Sequence, residues 1–294
     1  MRRAIHSVGV GAMVATQETE SSMPSIKENI DKWNADYDWR LRGDAWSRPW
    51  GGAESQWYGS VFPRIRRFLP ASAVLEIAPG FGRWTEFLLE HCDTLTAVDV
   101  ASKCVEGCRE RFAHYPQARF ETNDGQSLPM VEDESIDFAF SFDSLVHVES
   151  DVLIGYLAEL ARTLKPEGVA FLHHSNYGSY RRSAHAFAPL QTTLDRLPAV
   201  GRAGLMRTGV YRGAHWRASS VSASSFAELS EAAGLHCVGQ ELVNWEGGVV
   251  LLDSMSVVTR PGSRWDRPNS VVKNRLFRLE ARSIRRSGSV YSLP

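Results

Sequence analysis

The fold turns on Val74–Trp84, VLEIAPGFGRW, an apolar run that ends in a proline and two closely spaced glycines. Val74, Leu75 and Ile77 have the character of a buried strand, and Gly80 and Gly82 mark a tight turn after it. A helix is expected to start near Trp84, so its unpaired N–H groups and the glycine backbone lie where a ligand can approach closely. A glycine turn alone also suits any strand-to-helix junction that needs positive φ at Gly80 or Gly82. Two companions make the signal specific. Asp99 closes the next apolar run, LTAVD, 17 residues beyond Gly82, where a carboxylate can accept both hydroxyls of a ribose. A third run ends in Asn123, Asp124 and Gly125, where an acid can accept from an adenine amino group. Three strand ends thus supply one adenosine-shaped site from Glu76, Ala78, Gly80, Gly82, Asp99, Asp124 and Gly125, with Phe142 added from a fourth. A nicotinamide dinucleotide fingerprint instead wants Gly or Ala where Thr85 stands, and has no special demand for a third-strand acid.

Outward from that stretch, residues 72–174 alternate β-rich and helical runs: AVLEIA, TEFLLEHC, LTAVDV, KCVEGCRERF, ARFETN, IDFAFSF, DVLIGYLAELARTL and GVAFLHH. Five strands in this order imply an α/β, doubly wound parallel sheet with helices on both faces. SFAELSEAAG is expected to be a helix with a Ser225/Glu228 capping box, stopped by Gly234. Apolar runs at 235–243 and 249–259 suggest a terminal antiparallel hairpin. Residues 175–218 hold Arg181, Arg182, Arg196, Arg202, Arg207, Arg212 and Arg217 but one acid, Asp195, and have the look of an insertion after the fifth strand. Residues 30–60 are dense in aromatics, with Trp33, Tyr37, Trp39, Trp46, Trp50, Trp57 and Tyr58. The expected organisation is a disordered leader (1–25), an N-terminal aromatic lid (26–60), a main domain (61–260) and a basic tail (261–294).

A length of 294 residues exceeds one ordinary core, and 43% hydrophobic with 23% charged residues excludes a disordered, collagenous or coiled-coil chain. Formal net charge is −1, which argues against a protein whose main business is coating nucleic acid or an anionic membrane. The charge is uneven: residues 260–294 hold nine Arg or Lys against Asp266 and Glu280, leaving −8 for residues 1–259. Such a tail suits an acidic partner. Cys92, Cys104, Cys108 and Cys237 form no CxxC pair, which argues against a disulfide framework or zinc ribbon and fits a reducing cytoplasm. Cys104 and Cys108, one helical turn apart, are expected to pack. Glycines and His6 break any apolar leader within Met1–Thr16, and no run approaches the roughly 20 residues needed to cross a bilayer. A soluble, cytoplasmic protein is expected.

With these motifs in place, the chain resembles a class I S-adenosylmethionine-dependent methyltransferase over about residues 60–260. Glu76–Gly82 match the first motif, with Ala78 replacing its leading glycine, Asp99 the second and Asp124 the third. More narrowly, WNADYDW, EIAPGFGRW, SFDSLVHVE and VNWEGG are similar to phrases of bacterial saccharide O-methyltransferases, including the mycobacterial mannoside methyltransferase of polymethylated-polysaccharide synthesis. The resemblance implies a Rossmann-like seven-stranded sheet, mostly parallel with the last strand antiparallel, and S-adenosyl-L-methionine as cofactor. It also implies O-methylation of a saccharide or glycosylated metabolite. Another small hydroxylated or aminated metabolite is the alternative, and a nucleic-acid-binding protein or RNA methyltransferase using the basic tail ranks last, since no separate RNA-binding motif is present. The partner expected is a small-molecule or oligosaccharide acceptor, with no membrane span and with room for a homodimer.

Methyl transfer from a sulfonium is an in-line displacement, so the enzyme must hold the acceptor in line and manage its proton. Asp143 and His147, after the fourth strand, would stand one turn apart if a helix begins there, with His147 as base and Asp143 as its orienting group or a metal ligand. The competing reading packs His147 on a helix and makes Asp143 its N-cap. Related sugar and macrolide methyltransferases use magnesium, so Asp143, His173, His174, Asn176 and Glu246 are candidate ligands. Adjacent His173 and His174 face opposite ways, and a hard cation prefers oxygen. The expected set is Asp143, His174 and Glu246. Trp46, Trp50, Trp57 and Tyr58 are expected to form a lid that stacks on sugar faces or shields the sulfonium, with Trp50, Trp57 and Tyr58 set against the acceptor, although each taken alone suits a core better than recognition.

Overall fold

β1 (Ala71–Ile77) shows how this sequence builds its sheet: Leu75 and Ile77 pack on one face while Val74 packs on the other, so the strand is apolar on both sides. The computed structural model describes residues 25–180, 217–245 and 250–291. β2 (Cys92–Asp99), β3 (Ala118–Thr122), β4 (Ile136–Ser141), β5 (Leu164–Ser175), β6 (His236–Val243), β7 (Asp253–Thr259) and β8 (Ser270–Asn274) join β1 in one sheet of order β3-β2-β1-β4-β5-β7-β6-β8. β7 runs antiparallel to β5 and β6, as the hairpin reading expects, while β8 pairs parallel with β6. The sheet therefore has eight strands, where seven were expected. The eighth arises within the stretch taken as a basic tail.

Two cores cover the faces. On one, α6 (Ser150–Thr163) buries Leu153, Tyr156, Leu157 and Leu160, the i, i+3, i+4, i+7 stripe of an amphipathic helix, beside Phe226 of α7 (Ala223–Ala232). α7 is capped by Ser222 with Ser225 at its third position, three residues earlier than the expected Ser225/Glu228 box. The other face carries α1 (Ile26–Asp31), α2 (Ala53–Gln56), α3 (Phe62–Ile65), α4 (Thr85–Leu89), α5 (Ser102–Arg111) and α8 (Phe277–Tyr291), with irregular turns between α1 and α3. α8 presents Phe277, Ala281 and Ile284 to the N-terminal segment, where Ile284 approaches Gly59 so closely that a Cβ there would lie 2.8 Å from it. Beside it, half-buried Arg64 bridges Glu241 at 2.7 Å and Glu280 at 2.8 Å.

The alternation of β5 separates its two histidines. Val169 and Phe171 share a face with His173, and Ala170 and Leu172 share the opposite one with His174. The leader 1–24 and most of the arginine-rich insertion, 181–216, lie outside the described residues. Among the described residues no helix is long and apolar enough to cross a membrane.

Candidate active site

The ends of β1, β2 and β4, with Gly125 after β3 and Trp245 after β6, open into a cavity of about 420 Å³, roofed by residues of the N-terminal segment. That lies within the ~300–1,000 Å³ of small-molecule pockets, so the site takes a compact ligand set. The glycine turn forms one wall. Gly80 and Gly82 have φ +58° and +77°, and Ala78, in place of a glycine, holds φ +59°. A Cβ on Gly82 would lie 2.3 Å from the Phe112 ring, so the turn is pressed against α5 and only glycine fits. Arg111 of α5 holds the turn from below, donating to the carbonyls of Phe81 at 3.0 Å and Gly82 at 2.8 Å. The buried Cys108 thiol donates to Gly80 O at 3.1 Å, a packing role as expected.

Asp99 lies on the wall as the sequence implies. Its Oδ2 accepts from Gly80 N at 3.1 Å and its Oδ1 from Ala101 N at 2.9 Å, and burial pushes its carboxyl up to about 6 against those two bonds. Ala78, Gly80, Gly125 and Phe142 line the cavity too, but three expected cofactor residues do not. Glu76 points into the core beneath the turn, where it accepts from Thr85 Oγ1 at 2.5 Å, leaves Oε1 without a hydrogen bond, and is pushed up to about 7, chiefly by burial. Gly82 is spent on the contact with Phe112. Asp124 faces solvent and caps its own turn, accepting from Gln126 N, Ser127 N and Ser127 Oγ at 2.7–3.0 Å.

The opposite wall comes from the loop after β4. Asp143 and His147 both line the cavity, but no helix starts at Asp143. Asp143 has φ +66° and only a short 3-10 turn, Leu145–His147, follows it, so the two are not stacked on one helix face. Asp143 does not cap that turn, whose N-cap is Ser144. Arg83 Nη2 donates to Asp143 Oδ2 at 2.9 Å, and its guanidinium lies over Trp84 at 4.5 Å and Trp46 at 5.3 Å.

The aromatic expectations need revision. Trp50 and Trp57 are fully buried and do not line the cavity: Trp50 packs on Trp245 and Phe277, and Trp57 stacks on Phe87. Tyr58 is half exposed and donates to Glu90 Oε2 at 3.2 Å. The cavity aromatics are Trp33, Tyr37, Trp39, Trp46, Trp84, Phe142, Tyr156 and Trp245. Tyr37 stacks on Trp46 at 4.8 Å and Trp39 on Phe81 at 4.7 Å, forming one roof cluster. The first four belong to the same aromatic zone, but their irregular backbone gave no period from which to tell facing rings from core rings.

The expected magnesium ligands do not assemble among the described residues. His174 is on the far face, stacked 3.9 Å from Phe226, with Nε2 2.8 Å from Ser256 Oγ. Burial drives it down to about 3, so it is neutral. Asp143 is committed to Arg83, Asn176 is buried and donates to Leu251 O, and Glu246 lies outside the described residues. No group of three His, Cys, Asp or Glu side chains able to hold a metal forms among the described residues. The donor set present does not fit the ion.

Residues 74–168 match a family described as a methyltransferase domain. The chain carries a methyltransferase domain. The wall at Gly80 and Asp99 has the backbone and carboxylate groups that suit the nucleoside part of a methyl donor. The fold of the chain is similar to that of the N-methyltransferase NodS from Bradyrhizobium japonicum, solved with S-adenosyl-L-homocysteine. That likeness has TM-score 0.51 and 15% identity, covering 80% of this chain and 98% of NodS. A Pyrococcus horikoshii protein (TM-score 0.48, 18% identity, 78% and 95% covered) and a SAM-dependent methyltransferase from Aquifex aeolicus (TM-score 0.45, 14% identity, 69% and 92% covered) are also similar. No curated protein matches the methyltransferase in sequence.

Proposed function

We propose that this cavity transfers a methyl group to a hydroxyl of a saccharide or glycosylated metabolite, with the donor along Gly80, Asp99 and Gly125 and the acceptor against Arg83, Asp143 and His147. The observation that carries the reading is that Asp99 on one wall and Asp143 with His147 on another open into a single aromatic-lined cavity. S-adenosylmethionine, when bound, supplies a methyl carbon activated by a sulfonium sulfur. Asp99 accepts from the ribose hydroxyls, and the Gly80 turn allows close backbone approach. Asp143, held by Arg83, orients the acceptor. His147 takes the hydroxyl proton as the acceptor oxygen bonds to the methyl carbon and the methyl–sulfur bond breaks, its electron pair staying on the sulfur of the departing thioether, the general-base step of the transfer. Trp46, Trp84 and Trp245 line the cavity beside Asp143 and His147, and that mix of apolar and polar surface suits a pyranose better than a lipid. No step is routed through a metal. The four free cysteines fit a cytoplasmic setting.

The test is transfer of labelled methyl from the donor across a panel of saccharides, small amines, catechols and RNA. Label should enter a saccharide hydroxyl, and His147→Ala should lower turnover by roughly 10²- to 10⁴-fold with donor affinity nearly unchanged. Robust methylation of RNA or amines with none of any saccharide defeats the acceptor assignment, and undiminished turnover in His147→Ala returns the histidine to packing.

A further inference from the structure

Beneath the acceptor wall runs a line of buried groups that the sequence motifs do not account for. Asp143 occupies the left-handed region at φ +66°, which an L side chain enters only when its surroundings hold it there. Those surroundings are visible. Its backbone N–H donates to His173 Nδ1 at 3.1 Å, while its carboxylate receives Arg83. His173 and Asp253 are both fully buried. A ring nitrogen that accepts carries no proton, so Nε2 bears it, within the reach of the Asp253 charge at 3.4 Å from Oδ2 but outside hydrogen-bonding geometry. Asp253 is fixed in turn by Arg217, whose Nε and Nη2 donate at 2.6 and 3.1 Å. With the other tautomer, the ring N–H would oppose the N–H of Asp143; the carboxylate beside Nε2 disfavours that arrangement.

We infer that His173 and Asp253 form a positioning pair for methyl transfer. Asp253 selects the tautomer, His173 holds the backbone of Asp143 in its left-handed conformation, and that conformation sets the Asp143 carboxylate and Arg83 at the acceptor wall. The His173 ring packs 4.7 Å from Phe142 and 4.9 Å from Trp245, both cavity residues, so it stands one layer behind the acceptor without touching it. The pair resembles in logic the outer-shell carboxylate–imidazole partners that orient catalytic groups elsewhere. This inference rests on the cavity being the transfer site.

The experiment compares His173→Ala with His173→Asn, whose side-chain oxygen can accept where Nδ1 does and has no tautomer to select. His173→Ala should lower kcat roughly 10- to 100-fold, the cost typical of losing an outer-shell partner, with donor Kd nearly unchanged. His173→Asn should recover most of the lost kcat. Asp253→Asn should cost more in the wild type than in the His173→Asn background, because the tautomer dependence is gone there. Hydrogen exchange at the Asp143 amide gives a readout without turnover: protected in the wild type and His173→Asn, exposed in His173→Ala. Equal loss in the Ala and Asn variants, a loss confined to acceptor KM, equal costs of Asp253→Asn in both backgrounds, or an amide unaffected by His173→Ala each overturn the inference. A wild type inactive on every acceptor sinks the proposed function instead, while the exchange pattern still decides the pair.

Discussion

Replacing Asp99 by Asn tests the donor wall without changing its shape. The two carboxylate oxygens accept from opposite sides, Gly80 N at 3.1 Å and Ala101 N at 2.9 Å. An amide of the same outline has one acceptor, so whichever way it turns, one backbone N–H faces an NH₂ group. The lost bond is one to a charged group, worth about 1.5–3 kcal/mol, and because Gly80 belongs to the turn the donor approaches, the loss is expected in donor binding. At about 1.4 kcal/mol per factor of ten, Kd should rise roughly 10- to 150-fold. The wild type carries its own internal check. Burial pushes Asp99 up to about 6, so the acceptor-only carboxylate is lost as pH falls through that value, and donor affinity should weaken from pH 7 to pH 5. In Asp99→Asn this dependence on Asp99 disappears. Calorimetric titration with S-adenosylmethionine at several pH values reads both effects. A variant that binds the donor as the wild type does, or a wild-type Kd flat between pH 5 and 8, refutes the reasoning.

Four further substitutions separate turn, core and cavity. Glu76 is pushed from 4.5 up to about 7, so the folded chain holds its proton more tightly than the unfolded chain and stability falls as pH rises between those values. At 1.36 kcal/mol per unit the buried charge costs about 3 kcal/mol, so Glu76→Gln should raise the melting temperature relative to wild type at pH 8 and not at pH 4.5; the same shift at both disproves the account. Gly82→Ala would put a Cβ 2.3 Å from Phe112 at φ +77°, destabilising by about 1–3 kcal/mol or more and weakening donor binding, and an unchanged melt and Kd would contradict it. Trp50→Ala should cost about 3–5 kcal/mol in denaturant unfolding and raise acceptor KM, through its neighbour Trp245, by less than Trp46→Ala does. The opposite pattern restores Trp50 to acceptor recognition.

The central sheet was legible because β1, β4 and β5 are buried on both faces and β1, β2 and β3 run into a glycine or an acid. β8 was not, because SVVKN is an exposed edge strand with no apolar run to announce it. In α8 the signal was present but masked: Phe277, Ala281 and Ile284 keep helical spacing, yet arginines at 278, 282, 285 and 286 dominate the composition. At the site, Asp99, Asp143 and His147 were readable since strand-end position fixes where a residue stands. Side-chain direction was not, which is why Asp124 proved a turn cap and Glu76 a core residue. Arg217 appeared in sequence as one of many insertion arginines. Its role depends on Asp253, 36 positions away, and nothing local marks that pairing.

The contact between α8 and the N-terminal segment has a consequence for the order in which the molecule can be completed. Trp50, Gly59 and Arg64 leave the ribosome early, but Phe277, Ile284 and Glu280, which cover or pair with them, are among the last described residues to be made. At about 5–20 residues per second, some 10–45 s separate the two sets. During that interval the indole of Trp50 lacks its Phe277 neighbour and Arg64 lacks one of its two carboxylates. The wall that holds Trp245 against Trp50 and Phe277 is therefore finished only after translation has passed α8, so a nascent chain halted before residue 277 carries every sequence motif of the enzyme and an unfinished cavity.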